Sequence, residues 1–583
     1  MKKYILLIIA AVAVTFSACQ TASEELFDLD FDRVFTPTTL EAVPSQTPST
    51  EHTPWQTLPT VMELTTRFEW AASPNVIHYR LQISTSANFE TLIIPELTIP
   101  GTAFEIPSAL APDRLPWSTA YFVRVQAIGP DDLRAEDSRW NTLSFSTPGE
   151  QLFHTPVRAD IGSSFANFNW YPGSTATHLV LRGPLGNILP GRSIPITQAQ
   201  ESFLFENLDI ETEHTVQIMD GSLVRGQLQF STRRGVNCLE DNVLCFPEFG
   251  DDPVQNGLYL VEIMENPANI NRIIYLPEGF VANIPNNIDI AGSMHIFGSY
   301  DGARPLIRFG ATHGEGIDHA FIRLLPGATV ESIILENIEI MGVGPSNYIL
   351  NENPGVGLTT RIGTLKLDGV FFHDLGGNAV RLRNSHMDRL IVTDSEFYRM
   401  GLGSTFAFIN LNDAGASLQH IEIRNSTFAN MRNSFFNGQG VTATAQVANS
   451  ITIENSTFDR VVGDPGTVRR FFIDGGVLLA GQSLGQISVT IRNSIFGSTF
   501  DEESDMASGI RMNSAIIPTV ENSFRTDGWA TVPTIDNFDL PGLERVASSR
   551  EDLFRNPDAR DFTIIPPGAV RNAGDPRWRP ATP

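Results

Sequence analysis

Lysine is almost absent from this 583-residue chain. Lys2, Lys3 and Lys366 are its only lysines, so arginine supplies 37 of the 40 cationic residues. Against 66 acidic residues these leave a formal net charge of −26, which excludes nonspecific nucleic-acid binding through a basic surface. Cysteine is equally scarce, and three residues cannot build a disulfide-dense scaffold. No apolar run reaches the roughly 20 residues that a membrane-spanning helix needs. Hydrophobic residues make up 42% of the chain, ample material for cores spread over about three to five domains. The 46 glycines and 37 prolines favour many short β-elements over long helices.

The N-terminus carries its own signal. Lys2 and Lys3 precede an apolar run, Tyr4 to Phe16, that ends in Ser17-Ala18-Cys19. A charged start, a short apolar stretch and a small-residue cleavage site make residues 1–18 a signal peptide. Phe16-Ser17-Ala18-Cys19 resembles a bacterial lipobox, which implies that Cys19 is lipidated and becomes the first residue. Without residues 1–18 the balance is 38 cationic against 66 acidic residues. Anionic headgroups would repel so acidic a chain, so the lipid has to supply the membrane affinity. In the acidic tether, 19–33, Glu24 and Glu25 lie within six positions of Cys19, like the export tag of surface lipoproteins in glycan-degrading Gram-negative bacteria. The expected location is therefore the outer membrane with the cell surface exposed; the periplasmic face is the alternative.

Residues 34–148 read as a β-sandwich. Phe35 to Ala42 is an expected first strand, followed by a polar, proline-rich insertion over 44–60. Phe68-Glu69-Trp70, Tyr79 to Ser84 and Tyr121 to Ala127 alternate apolar with polar, as half-buried antiparallel strands do. The landmarks Trp70, Tyr79, Tyr121 and Ala127 resemble a fibronectin type III domain. A second such unit over 149–234 repeats the order, with Phe168-Asn169-Trp170, Thr177 to Leu181 and Gln229 to Thr232. Domains of this kind usually act as spacers, and sugar binding by them is the minority alternative.

From 235 to 583 a local motif recurs. Leu365 to Phe372, Leu390 to Phe397, Ile421-Glu-Ile-Arg-Asn-Ser-Thr-Phe428, Ile451-Thr-Ile-Glu-Asn-Ser-Thr-Phe458 and Val489-Thr-Ile-Arg-Asn-Ser-Ile-Phe496 are copies; Ile333 to Ile340 is a diverged one and Val520 to Phe524 a shortened one. The copies repeat at 25 to 38 residues, as solenoid coils with loop insertions would. Alternate apolar residues point inward, Asn or Asp bends the chain with left-handed backbone angles, and Phe fills the interior. The corners Asp394, Asn425, Asn455 and Asn493 should form a side-chain ladder, with Gly369 taking the same bend one coil earlier. The expected fold is all-β: two sandwiches followed by a parallel β-helix.

Lipobox, sandwich pair and Asn-Ser-x-Phe coils together resemble surface lipoproteins of polysaccharide-utilisation systems that carry a pectin-lyase-like β-helix, many without an assigned activity. That resemblance implies a right-handed helix, a polysaccharide ligand, and a transporter or companion lipoprotein as partner. The ending Asp561 to Ile564 with Asn572-Ala573-Gly574-Asp575-Pro576 is similar to the last coil of such proteins. Cys238 and Cys245, seven apart where sandwich meets solenoid, suit a disulfide in an exported protein.

Between the corner motifs lie strands whose outward residues align as Arg323, Arg381, Asn410, Asn437, Asp474 and Arg511, with Arg383, Asn412, Gln439 and Asn513 two positions on. Coils about 4.8 Å apart would make these a groove. Arginine forks suit carboxylates and amides suit hydroxyls, which points to an acidic polysaccharide. An ordinary solvated sheet face would also be polar. The weak catalytic candidates are Arg381, Arg383, Lys366 and Asp474; β-helix lyases pair Ca²⁺ or Arg with a basic residue, so Ca²⁺ enters only if the groove is a lyase. Otherwise no cofactor is expected. A hydrolase would need further carboxylates beside Asp474. The segment Thr312 to His319 and the pair His373-Asp374 match no zinc spacing and read as turns, so no metal is expected. Three classes stay open: a glycan-binding lipoprotein, a polysaccharide lyase or hydrolase, and an adhesin or stalk.

Overall fold

The computed structural model describes residues 34–48, 62–106, 115–130, 137–156, 160–171, 175–246, 250–285, 287–310, 319–342, 347–355, 357–401, 403, 406–411, 415–438, 450–463, 472–474, 488–500, 509–511, 518–529, 540, 542–566 and 568–579. The signal peptide, Cys19 and the acidic tether lie outside them, as do Asn412, Gln439, Asn513 and residues 312–318.

In the first sandwich, Glu41–Pro48, Met62–Glu69 and Ala103–Ile106 form one antiparallel sheet. Leu97–Ile99, His78–Ser84, Ala120–Ile128 and Asn141–Ser146 form the other. This three-plus-four arrangement is that of a fibronectin type III-like sandwich. Its alternating strands send Leu81, Ile83, Val123 and Val125 into one core, where Trp70 meets Tyr79 edge-on at 5.4 Å. One expectation needs correcting. The first strand is not Phe35 to Ala42 but Glu41–Pro48, pairing residue by residue with Met62–Glu69. Residues 44–48 of the supposed insertion thus belong to this edge strand, where proline is tolerated, and 49–60 lie outside the described residues.

The second sandwich repeats the plan. Ala166–Asn169 pairs with Ser202–Phe205, Phe153 bridges Trp170, and a four-stranded sheet runs Ile188–Pro195, His178–Arg182, Glu213–Asp220, Leu223–Ser231.

Beyond Val243 every coil is parallel to the next. Two sheets of ten strands and one of eight stack along a common interior, and this is the parallel β-helix. The recurring motif is the corner from first to second sheet. Ile421 and Ile423 face the core, Asn425 takes φ 51°, and Phe428 opens the next strand, fully buried. Asn337, Gly369, Asp394, Asn455, Asn493 and Asn522 take the same left-handed turn. The corner ladder joins Asn425 Nδ2 to Asp394 Oδ1 at 3.2 Å and Asn522 Nδ2 to Asn493 Oδ1 at 2.8 Å. A serine ladder one residue on was not anticipated. The backbone N–H groups of Ser395, Ser426, Ser456 and Ser494 each donate to the hydroxyl of the next coil's serine at 3.1–3.4 Å. Each of those hydroxyls donates to the carbonyl two residues earlier, so the buried corner has no idle donor. Inside, Phe397, Phe428, Phe458 and Phe496 stack 4.8–5.0 Å apart, and Trp529 closes the column.

The N-terminal end is covered. The helix Pro253–Glu265, capped by Asp252, lays Leu260 and Ile263 on the first coils. A Cβ at Gly257 would lie 1.9 Å from Asn283 O, so only glycine lets the helix press this close. Just before it, Cys238 and Cys245 form a disulfide with Cα atoms 5.6 Å apart. The chain's ending is not a last coil. After Glu544–Ala547 it turns back over the outer face of the second sheet as a short hairpin and a strap. Buried Arg550 grips Asp459 at 2.7 Å, and Thr427 Oγ1 donates to Asp575 Oδ2 at 2.6 Å.

Candidate functional site

The outward column expected on the third sheet exists in register. Asp289 aligns with Arg323, and Asn351, Arg381, Asn410, Asn437, Asp474 and Arg511 follow coil by coil. Asp289 and Asn351 extend the column beyond the residues that the sequence had aligned. The column is not the open groove it was expected to be. Arg381, Asn410 and Asp474 are only 7%, 2% and 3% exposed. The Arg381 guanidinium lies 3.9 Å from the ring centre of Phe406, on the segment entering the next strand. Arg383 Nη2 donates to Asn351 Oδ1 at 3.1 Å, and Asn437 is half-buried. Arg323 remains exposed, but Asp289 holds it with two hydrogen bonds of 2.6 and 2.8 Å. Pointing away from the core is not the same as facing water when long insertions join the coils.

On the inner side of this sheet sits Glu352, in register with Leu382 and fully buried. Burial pushes its carboxyl up to about 7. The geometry agrees with a neutral acid. Thr360 Oγ1 is 2.7 Å from Ser385 Oγ and 3.2 Å from Glu352 Oε2, while Ser385 Oγ donates to Arg383 O. If the single Thr360 proton goes to Ser385, Glu352 is the partner that must donate. Leu324 N–H donates to its other oxygen at 2.7 Å.

Lys366 stands apart from these arginines, as its position between Leu365 and Leu367 suggested. It projects from the first sheet with Nζ 2.6 Å from Asp368 Oδ2. His373 lies on the second sheet between Glu339 at 3.1 Å and Asp374 at 2.7 Å. Burial opposes its charging, yet the two carboxylates raise its pKa. Its partners are therefore structural ion pairs. No group of three or more metal-ligating side chains occurs among the described residues.

The open polar face belongs to the first sheet. Tyr275, Phe297, Glu336, Asp368, Thr393, Arg424, Glu454, Arg492 and Glu521 align in one outward column. From Glu336 onward this is the residue just before each corner, a signal the repeat itself offered. Arg424, Glu454, Arg492 and Glu521 pair in alternation at 3.2, 3.4 and 2.8 Å. At the N-terminal end the face runs into a cavity of about 260 Å³ between the second sandwich and the first coils. Tyr275 and Phe297 stack there at 6.0 Å, and Arg234 of the sandwich lies 5.4 Å from the Phe297 ring centre.

No family model matches this chain, and no curated protein matches it. Among solved structures, a two-domain fibronectin type III segment from chicken tenascin is 16% identical, spanning 33% of this chain and 97% of that one at a TM-score of 0.18. The central fibronectin type III array of RIM-binding protein is 12% identical, spanning 33% and 62% at a TM-score of 0.11. The assignment of the sandwiches rests on their own strand order.

Proposed function

We propose that the protein is a surface lipoprotein, anchored through Cys19, whose β-helix holds an extracellular polysaccharide without cleaving it. The observation that supports this most is the outward column of the first sheet. From Asp368 to Glu521 it offers a donor or an acceptor on each coil over an extended, partly exposed face. A glycan chain needs such a repeated row of hydrogen-bonding groups more than it needs a deep pocket. Of the arginines that suggested an acidic sugar, Arg381 is buried and Arg323 and Arg383 are already paired on the third sheet, so the ligand is not restricted to acidic chains. A transporter or companion lipoprotein at the outer membrane would be the partner that receives the glycan.

Native electrophoresis in gels containing dissolved xylan, galactomannan or polygalacturonate tests the reading. Retarded migration in one of them is expected, and the double variant Arg424→Ala/Glu454→Ala should restore free migration. Equal mobility in every gel would remove the reading. Unsaturated products absorbing in the ultraviolet would replace it with a lyase. A rigid stalk is the second reading. It is favoured by the clamp in which Asp301 of the β-helix accepts from Ser163 N and Oγ of the second sandwich at 2.6 and 2.8 Å.

A further inference from the structure

The cavity at the junction of the second sandwich and the β-helix joins two parts of the chain that the sequence presents as a spacer and a solenoid. Its walls come from both. The sandwich supplies Ser163 and Arg234, and the first coils supply Tyr275, Phe297, Tyr300 and Asp301. Its shape is fixed by covalent and polar constraints. The Ser163 hydroxyl and backbone N–H hold the Asp301 carboxylate. A Cβ at neighbouring Gly162 would lie 2.3 Å from the Phe165 ring and 2.7 Å from Asp301 Oδ1, so the turn that meets Asp301 has room only for glycine. The first strand of the β-helix, carrying the Cys238–Cys245 disulfide, runs beside Tyr275. Sites lodged between domains in this way are a common place for small ligands.

The chemistry of the walls narrows the ligand. Phe297 is buried beneath Tyr275, Tyr300 and the Arg234 guanidinium, leaving the half-buried Tyr275 ring to offer a flat apolar surface. Beside it Arg234, 40% exposed, stands 3.6 Å from Glu336, which is also hydrogen-bonded to His295 at 2.9 Å. An aromatic face flanked by a fixed donor and a fixed acceptor matches a sugar ring, with its C–H face on the aromatic and its hydroxyls between guanidinium and carboxylate. Among the described residues Arg234 is the one cation lining the cavity and Glu336 already balances it, while Glu240 and Asp301 line it as acids, so a carboxylated sugar is disfavoured.

We propose that this cavity is a subsite for one neutral sugar ring, and that a glycan seated there continues along the first sheet past Glu336 and Asp368. The proposal rests on the polysaccharide-binding reading and makes the second sandwich half of a binding site. The test is isothermal titration of the full chain with neutral xylo- and manno-oligosaccharides and with oligogalacturonate, comparing wild type, Tyr275→Ala, Tyr275→Phe and Arg234→Met. Neutral oligosaccharides should bind, and Tyr275→Ala and Arg234→Met should each weaken binding about tenfold or more. Tyr275→Phe should bind like wild type, and melting temperatures should match, which separates lost stacking from lost folding. Wild-type affinity in Tyr275→Ala, with binding lost in Arg424→Ala/Glu454→Ala, would overturn the subsite and leave the broader reading standing. Binding of oligogalacturonate alone would overturn the neutral-sugar assignment. No binding by wild type to any of the three would overturn both.

Discussion

The first and third sheets of the β-helix both carry outward columns rich in polar residues, with opposite character. On the first sheet Arg424, Glu454, Arg492 and Glu521 lie in solvent and neutralise one another along the helix axis. On the third, Arg381, Asn410 and Asp474 are equally polar and equally well aligned, yet buried. What separates them is the loops, not the strands. The corner from first to second sheet is a single left-handed residue with a serine behind it, too tight to overhang anything. At the third sheet the chain entering the next strand lies over the column, with Phe406 against Arg381. A polar column is therefore a binding face on one side of the solenoid and a structural ladder on the other.

That difference is sharpest at Glu352, on the inner side of the third sheet, where a carboxyl replaces the leucine of the next coil. Its folded-state pKa of about 7 lies above the usual carboxyl value, so the native state binds the proton more tightly than the unfolded chain. Stability from this group is then complete below about pH 4 and falls as pH rises toward 7. By pH 8 the cost approaches about 3 kcal/mol. Glu352→Gln keeps the acceptor for Leu324 N–H and supplies a permanent donor to Thr360. Urea titrations at pH 5 and pH 8 should show the variant gaining on wild type only at the higher pH. Parallel behaviour of the two proteins would mean that Glu352 is not a neutral acid.

One step smaller is the effect expected from Arg381→Ala. It removes a buried guanidinium and its packing on Phe406, costing about 2–3 kcal/mol. Oligosaccharide affinity measured well below the melting point should be unchanged. A fall in affinity with no fall in stability would restore the third sheet as the binding face.

The sequence made the repeat legible because its corner demands specific chemistry. Asn425, Asn455 and Asn493 are there for their backbone angle, and Phe428, Phe458 and Phe496 for their volume; both constraints act within eight residues. The outward register of the third sheet was equally readable, since Ile409 and Ile473 fix which neighbours face away. Burial was not readable, because it depends on residues such as Phe406 that lie off the strands and outside any repeat. The same limit explains the junction cavity: Tyr275 and Phe297 belong to coils without the motif, and Arg234 lies beyond the last sandwich strand. The C-terminal strap had a further cause. Asp575 finds its partners Thr427 and Thr457 over a hundred residues earlier, and no local pattern encodes that.

The smallest effect should come from the first-sheet ladder itself. Arg492 bridges Glu454 and Glu521 while staying open to solvent, and pairs of that kind contribute little because water and salt screen them. Arg492→Ala should therefore melt within about a degree or two of wild type, with the difference shrinking further at 1 M salt. The same substitution removes donors from the open face, so retardation in a polysaccharide gel should weaken while stability does not. A loss of stability comparable to that of Arg381→Ala would mean that the first sheet is a structural ladder too. The contrast between the two faces would then collapse in favour of the stalk.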